Sequence, residues 1–141
     1  MKKICLLIAI SAFMFSSCKK KDEEKNCSFT EANLAGSYKL ASVKYKASGS
    51  TTETDYSQYL DGCEKDDLWT FTSDHAYVYS DVGVICSPNG DDQGMWSLNG
   101  NNLSIDGDEL PLENFSCSGF SIIVEDLPNA GDKLSINLAR Q

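Results

Sequence analysis

One hairpin pattern constrains this chain more than any other feature. Residues 94–105 alternate large apolar with small or polar side chains on both sides of a central Gly-Asn pair, which favours a two-residue turn between antiparallel strands. The register predicts that Trp96 lies opposite Ile105. Leu98 and Leu103 form the next pair on the same apolar face. A two-stranded ribbon is not stable alone in water, so further strands must cover that face.

A second hairpin is predicted around a three-residue loop at residues 73–75. Its register places Trp69 opposite Tyr79. Phe71 then lies opposite Tyr77, and the four rings share one face of the ribbon. The chain therefore contains at least two hairpins with strongly apolar faces.

The remaining segments bring the expected number of strands to eight, with almost no helix. A phase shift near Ala41 predicts a β-bulge in the first strand. Residues 29–34 can form one helical turn, with Ser28 or Thr30 as its cap. Sequential hairpins of this kind close most simply into an eight-stranded antiparallel up-and-down barrel. The other strands are expected at residues 36–45, 109–115, 120–127 and 133–140, with loops at residues 47–67 and 83–93.

The N-terminus has the layout of a secretory signal. A basic start precedes an apolar run over residues 4–15 that is too short to span a bilayer permanently. Residues 15–18, Phe-Ser-Ser-Cys, resemble the lipobox of bacterial lipoproteins, which implies that Cys18 is diacylated and becomes the new N-terminus. We therefore expect a signal peptide at residues 1–17, a lipidated charged tether at residues 18–28 and one domain at residues 29–141.

The tether carries a second resemblance. A basic residue followed by acids, just after the cysteine, is similar to the surface-export signal of Bacteroidetes lipoproteins. This resemblance implies an outer-membrane lipoprotein displayed at the cell surface, with retention on the periplasmic side as the alternative.

The charge balance excludes two classes of partner. The chain has 12 basic and 21 acidic residues, and removal of residues 1–17 would leave 10 basic residues and a net charge of −11. Nucleic-acid binding needs a positive face, so it is excluded. Attachment to the membrane must come from acyl chains rather than from electrostatic attraction to anionic lipids.

Four cysteines remain after the signal peptide and Cys18 are set aside, an even number in an exported chain, which predicts two disulfide bonds. Connections between antiparallel strands alternate between the two ends of the barrel. This parity places Cys63 and Cys86 at the upper end and Cys27 and Cys117 at the lower end. We therefore expect the bonds Cys63–Cys86 and Cys27–Cys117. A zinc site is the rival reading, but no two cysteines have C-x-x-C spacing.

No catalytic residues, metal ligands or cofactor are predicted. His75 is the only histidine and falls in a hairpin turn, where a left-handed backbone is expected. The paired acids at residues 66–67, 91–92 and 106–109 are typical of solvated loops, and the last group lacks the twelve-residue calcium-loop pattern. The sequence therefore favours a protein that is not an enzyme.

The aromatic residues leave two interpretations open. They either fill a small barrel completely or line a cavity open at its upper end, because eight strands enclose a packed core or room for one small ligand. The candidate ligand-binding residues are Tyr38, Trp69, Phe71, Tyr77, Tyr79 and Trp96.

Three stretches together, at residues 34–40, 63–74 and 94–105, resemble the lipocalin-like domain lipoproteins of Bacteroidetes. Gly36-Ser37-Tyr38 occupies the position at which true lipocalins have Gly-x-Trp, with Tyr in place of Trp. The resemblance implies a calyx that is closed below by residues 29–34 and holds a small hydrophobic or amphipathic ligand. The alternative is a protein-interaction or inhibitor module that binds through its upper loops, residues 47–67 and 83–93, around a filled barrel.

Overall fold

The computed structural model describes residues 27–141, and the predictions of a signal peptide, of lipidation at Cys18 and of most of the tether lie outside this range. One short helix, α1, precedes nine strands. No helix in the described range is both long and apolar enough to cross a membrane. The elements are α1 Glu31–Leu34, β1 Gly36–Lys46, β2 Thr54–Asp55, β3 Leu68–Phe71, β4 Ala76–Ser80, β5 Asp92–Asn99, β6 Asn102–Ile105, β7 Asp108–Ser116, β8 Gly119–Glu125 and β9 Lys133–Arg140.

The strands form one antiparallel sheet in the order β2-β1-β3-β4-β5-β6-β7-β8-β9, and β1 also pairs with β9. The pairing of the first and last long strands joins the two edges, but not evenly. Strand β1 pairs with β9 from Tyr38 to Lys46, whereas it pairs with β3 only from Gly36 to Lys39. The upper part of β1 therefore lacks β3 as a neighbour.

The expected count of eight strands was wrong by one. Strand β2 has two residues and lies where a mobile loop was expected. It pairs with Lys44 and Tyr45, which lie beyond the end of the β1–β3 ladder. The extra strand forms because the backbone of this part of β1 would otherwise lack partners on that side.

Both predicted hairpins are confirmed in register. Trp96 pairs with Ile105 and Phe71 pairs with Tyr77. Gly100 has a φ of 59°, and His75, in the other turn, has a φ of 69°. Both turns thus use the left-handed backbone region that tight connections between twisted strands require.

The bulge and the helical turn are also confirmed. The register of β1 against β9 shifts between Leu40 and Ser42. Thr30 is the N-cap of α1, and its hydroxyl accepts a hydrogen bond from the amide of Asn33 at 3.3 Å.

The packed core lies in the lower half of the sheet, which we define as the half that contains α1 and the His75 turn. Tyr38 is 1% exposed, and its ring centroid lies 4.8 Å from that of Phe120 and 6.0 Å from that of Phe71. The Tyr38 hydroxyl donates to the carbonyl of Leu34 at 2.6 Å, which fixes α1 across the lower end. The buried core residues are Leu34, Tyr38, Phe71, Tyr77, Trp96, Leu103, Leu112, Phe120, Ile122 and Leu138.

Two disulfide bonds join the pairs of cysteines that strand parity predicts. Cys27–Cys117 lies at the lower end, with a Cα–Cα distance of 5.3 Å. Cys63–Cys86 lies at the upper end, with a Cα–Cα distance of 5.2 Å. One bond thus holds the chain that enters α1, and the other joins two upper loops.

Candidate functional site

A cavity of about 160 Å³ lies in the upper half of the sheet, where the packed core ends. The β-bulge helps to form it, because the register shift turns both Leu40 and Val43 toward the interior although they are three positions apart. Five of the seven lining side chains are apolar or indole, and two carry a carboxylate or a hydroxyl. The lining residues are Leu40, Val43, Leu60, Glu64, Trp69, Tyr79 and Ile136.

One side of the cavity is formed by residues 54–64, which we call the cover segment. Two hydrogen bonds fix it to β1: the amide of Tyr56 donates to the carbonyl of Val43, and the amide of Val43 donates to the hydroxyl of Ser57, each at 2.8 Å. These bonds occupy backbone groups that β3 does not reach. They place Leu60, a half-buried residue, against the cavity.

Glu64 is held in place at the end of the cover segment. Its carboxylate accepts a hydrogen bond from the amide of Asp61 at 2.9 Å, and the Asp61 side chain accepts one from the Glu64 amide, which together form a capping box. Glu64 lines the cavity and is also exposed, so it lies where the cavity meets solvent.

The second polar residue of the lining is Tyr79, whose hydroxyl donates to the Asp67 carboxylate. Asp67 is only 1% exposed and also accepts from the amide of Val82 at 3.2 Å. Burial and the hydrogen bond with Asp67 raise the pKa of Tyr79, so its hydroxyl stays protonated and neutral. The proton of this hydroxyl is committed to Asp67, and its lone pairs remain able to accept.

Beside the cavity, the upper loop (residues 82–90) is braced at several points. The Asp81 carboxylate is 6% exposed and accepts from the amide of Cys86 at 3.0 Å, and Cys86 is bonded to the cover segment through its disulfide. The braced loop presents two apolar side chains to solvent, with Val84 62% and Ile85 55% exposed.

The structure divides the six candidate ligand-binding residues into two groups. Trp69 and Tyr79 line the cavity, with ring centroids 5.3 Å apart in an edge-to-face arrangement. The others are buried in the lower core and do not line the cavity. They are Tyr38, Phe71, Tyr77 and Trp96.

Five lining residues were not among the candidates. Leu40, Val43 and Ile136 had a usable signal. Strand alternation from Tyr38 turns Leu40 inward, the bulge after Leu40 turns Val43 inward, and the β1–β9 pairing places Ile136 opposite Val43. Leu60 and Glu64 lie in short 3-10 turns without apolar periodicity, so no pattern marked them.

The histidine and the other hollows of the described range are distinct from this cavity. His75 lies in the lower turn with its ring 5.4 Å from that of Trp96, at the opposite end from the cavity. No group of three His, Cys, Asp or Glu side chains within residues 27–141 is placed to hold a metal ion. Two larger hollows at the upper surface, of about 350 and 590 Å³, are lined mainly by polar and charged residues.

A nine-stranded antiparallel sheet whose first and last long strands pair, with a short lower helix and a mainly apolar cavity at the upper end, defines a class of small all-β domains. Within that class, residues 34–119 match the sequence model of the lipocalin-like domain family. The chain therefore belongs to the lipocalin-like domain family, whose members are in general binding domains rather than enzymes. No curated protein and no solved structure matches the chain.

Proposed function

We propose that this protein is a non-catalytic, lipid-anchored envelope protein that binds a small, largely apolar molecule in its upper cavity. The observation that carries this proposal is a cavity of about 160 Å³ with mainly apolar walls in a domain of a ligand-binding family. An apolar cavity of about 150 Å³ holds a benzene molecule, whereas drug-sized ligands need about 300 Å³ or more. The ligand is therefore a single ring or a short chain.

The test uses 2-phenylethanol, a neutral ring with a short tail, titrated into the full-length chain by isothermal calorimetry. We expect saturable binding that Ile136→Trp abolishes, because the larger side chain fills the cavity. Leu98→Trp is the matched control, since Leu98 packs against the core without lining the cavity. Absence of saturable binding, or equal binding by Ile136→Trp, would overturn the proposal.

The anchor is proposed from residues 15–18 alone, with Cys18 as the acylated residue. The tether that follows it supports an outer-membrane location with display at the cell surface. Metabolic labelling with a fatty acid should mark the wild-type chain and fail to mark Cys18→Ser. Protease treatment of intact cells should remove a surface-displayed domain, whereas protection of the domain would place it on the periplasmic side.

A second candidate function is favoured by the upper loop. Val84 and Ile85 are exposed on a loop that a disulfide bond and buried carboxylates hold in one shape, which lowers the entropy lost on docking. Two acidic residues adjoin this loop: Asp91 follows it in the sequence, and the Asp66 carboxylate accepts from the amide of Val84 at 3.0 Å. The matching partner is a protein with an apolar cleft surrounded by basic residues.

A bait carrying Val84→Ser and Ile85→Ser tests this second function against the wild-type chain and against Met95→Ser. Met95 is also exposed but lies on β5, away from the upper loop. A partner of this kind is lost with the double variant and at high salt, and is retained with Met95→Ser. If every captured protein is shared by all three baits, the second function is excluded.

A further inference from the structure

We infer that the upper cavity selects a small cationic amphiphile, an amine with an apolar ring or chain, over a carboxylate of the same size, with Glu64 as its counter-ion. The inference rests on the proposed ligand-binding function and names the chemical class of the ligand. It follows from the single charged group of the cavity lining, which is a carboxylate, and from the sign of the surrounding charge.

The first argument is the lining itself. Its only ionisable groups are the Glu64 carboxylate and the Tyr79 phenol, and the other five side chains are apolar or indole. A ligand carboxylate would be desolvated there without a cation to pair with, which is costly. An ammonium group would instead find a carboxylate at the cavity mouth.

The second argument is how Glu64 is held. One of its carboxylate oxygens accepts from the Asp61 amide at 2.9 Å, which orients the group without neutralising its charge. No described residue donates to its other oxygen, and no Lys, Arg or His in the described range lies within ion-pair distance of it. The fixed carboxylate is thus available to a ligand.

The third argument concerns Tyr79. Its hydroxyl proton is already donated to the buried Asp67, so only its lone pairs remain for a further partner. The Glu64 charge contributes to the raised pKa of Tyr79, after burial and Asp67. Neither Glu64 nor Tyr79 therefore offers a proton to a ligand anion, and the ring face of the half-buried Trp69 adds a surface that favours cations.

The electrostatic field around the cavity is also negative. The chain carries a net charge of −9, and the loops around the cavity include Asp61, Asp66, Asp81 and Asp91. Lys65 is exposed and adjoins Glu64 in sequence, but it does not line the cavity. A field of this sign raises the local concentration of small cations and lowers that of anions.

The experiment compares three probes of nearly equal size with the full-length chain at pH 7 and low salt. They are 2-phenylethylamine, which is cationic, 2-phenylethanol, which is neutral, and phenylacetate, which is anionic. We expect the amine to bind about fivefold more tightly than the alcohol, the gain of about 1 kcal/mol typical of a well-placed exposed ion pair, and phenylacetate to bind most weakly.

Glu64→Gln is the deciding variant, because glutamine retains the capping hydrogen bond and removes only the charge. It should lower the ratio of amine affinity to alcohol affinity from about five to about one. Glu53→Gln, a change at an exposed residue outside the cavity lining, should leave this ratio unchanged. Equal affinities for the amine and phenylacetate, with the alcohol bound, would overturn the cation preference while leaving the proposed function intact. If the chain binds none of the three probes, the proposed function fails as well.

Discussion

The same strands run through the lower and upper halves of the sheet, but the interior is packed differently in the two halves. In the lower half, buried aromatic rings pack against one another across the interior: Tyr38 meets Phe71 and Phe120 edge to face. In the upper half, β1 loses β3 as a partner, and the cover segment replaces a strand with two short 3-10 turns. The interior there is lined but not filled.

The difference shows that stability and binding are separated along the strand axis. The residues buried most completely hold the fold together and are inaccessible to a ligand. The residues that line the cavity are half-buried for the most part, so they contribute less to folding and can contact another molecule. A change in one half should therefore affect the other half little.

The largest expected effects come from the two disulfide bonds. Replacing Cys27 and Cys117 with serine should lower the free energy of unfolding by about 4–5 kcal/mol, and replacing Cys63 and Cys86 by about 3–4 kcal/mol, because the bonds span sequence separations of 90 and 23 residues. Urea denaturation measures both. Only the upper pair should also weaken binding of 2-phenylethanol, since Cys63 adjoins Glu64. Equal loss of binding in the two variants would contradict the separation of the halves.

Truncation of core side chains should show the next largest effect. Phe71→Ala should cost about 3–5 kcal/mol of unfolding free energy, because the ring is 1% exposed and packed on all sides. Leu60→Ala, in the cover segment, should cost only about 1–2 kcal/mol, because Leu60 is half-buried. Denaturation curves compare the two, with circular dichroism as the check on folding. A greater cost for Leu60→Ala would reverse the assignment of the halves.

Removal of single hydroxyls gives a smaller effect. Tyr79→Phe should cost about 1–3 kcal/mol, because it removes a hydrogen bond to a carboxylate that is 1% exposed. Tyr77→Phe is the matched control, since no described residue hydrogen-bonds its hydroxyl, and it should change stability by less than about 0.5 kcal/mol. Thermal denaturation of both variants measures the difference in stability. Indistinguishable melting temperatures would show that the pair of Tyr79 and Asp67 does not stabilise the upper half.

The smallest effect should come from Asp132, which joins two upper loops. Its carboxylate accepts from the amide of Ser48 at 2.8 Å and from Asn129, and these bonds lower its pKa. A lowered folded-state pKa stabilises the fold above the ordinary carboxyl value of about 3.9, and this contribution is lost as the pH falls through the lowered pKa. Asp132→Asn should therefore lower the melting temperature at pH 7, and the difference should shrink in acid. Asp108→Asn, at an exposed site, is the matched control and should leave the melting temperature at pH 7 unchanged.

Local rules were sufficient to predict the two hairpins and insufficient to predict β2 or which residues line the cavity. Alternation and turn residues specified the hairpins of Trp96 and Phe71, because strand period and positive φ are properties of neighbouring residues. The sequence could not distinguish the four deeply buried candidate rings from the two that line the cavity, because strand alternation turns all six toward the interior of the sheet. That separation depends on where β3 stops pairing with β1, which is a tertiary property.

The short ladder between β1 and β3 has a consequence for how this fold can diversify. One side of the cavity is formed by the cover segment, and only two of its eleven residues belong to the sheet. Substitutions and insertions in that segment can reshape the recognised surface without altering strand register or the lower core. Chains with one common scaffold can thus acquire different ligand preferences by exchanging a single connection.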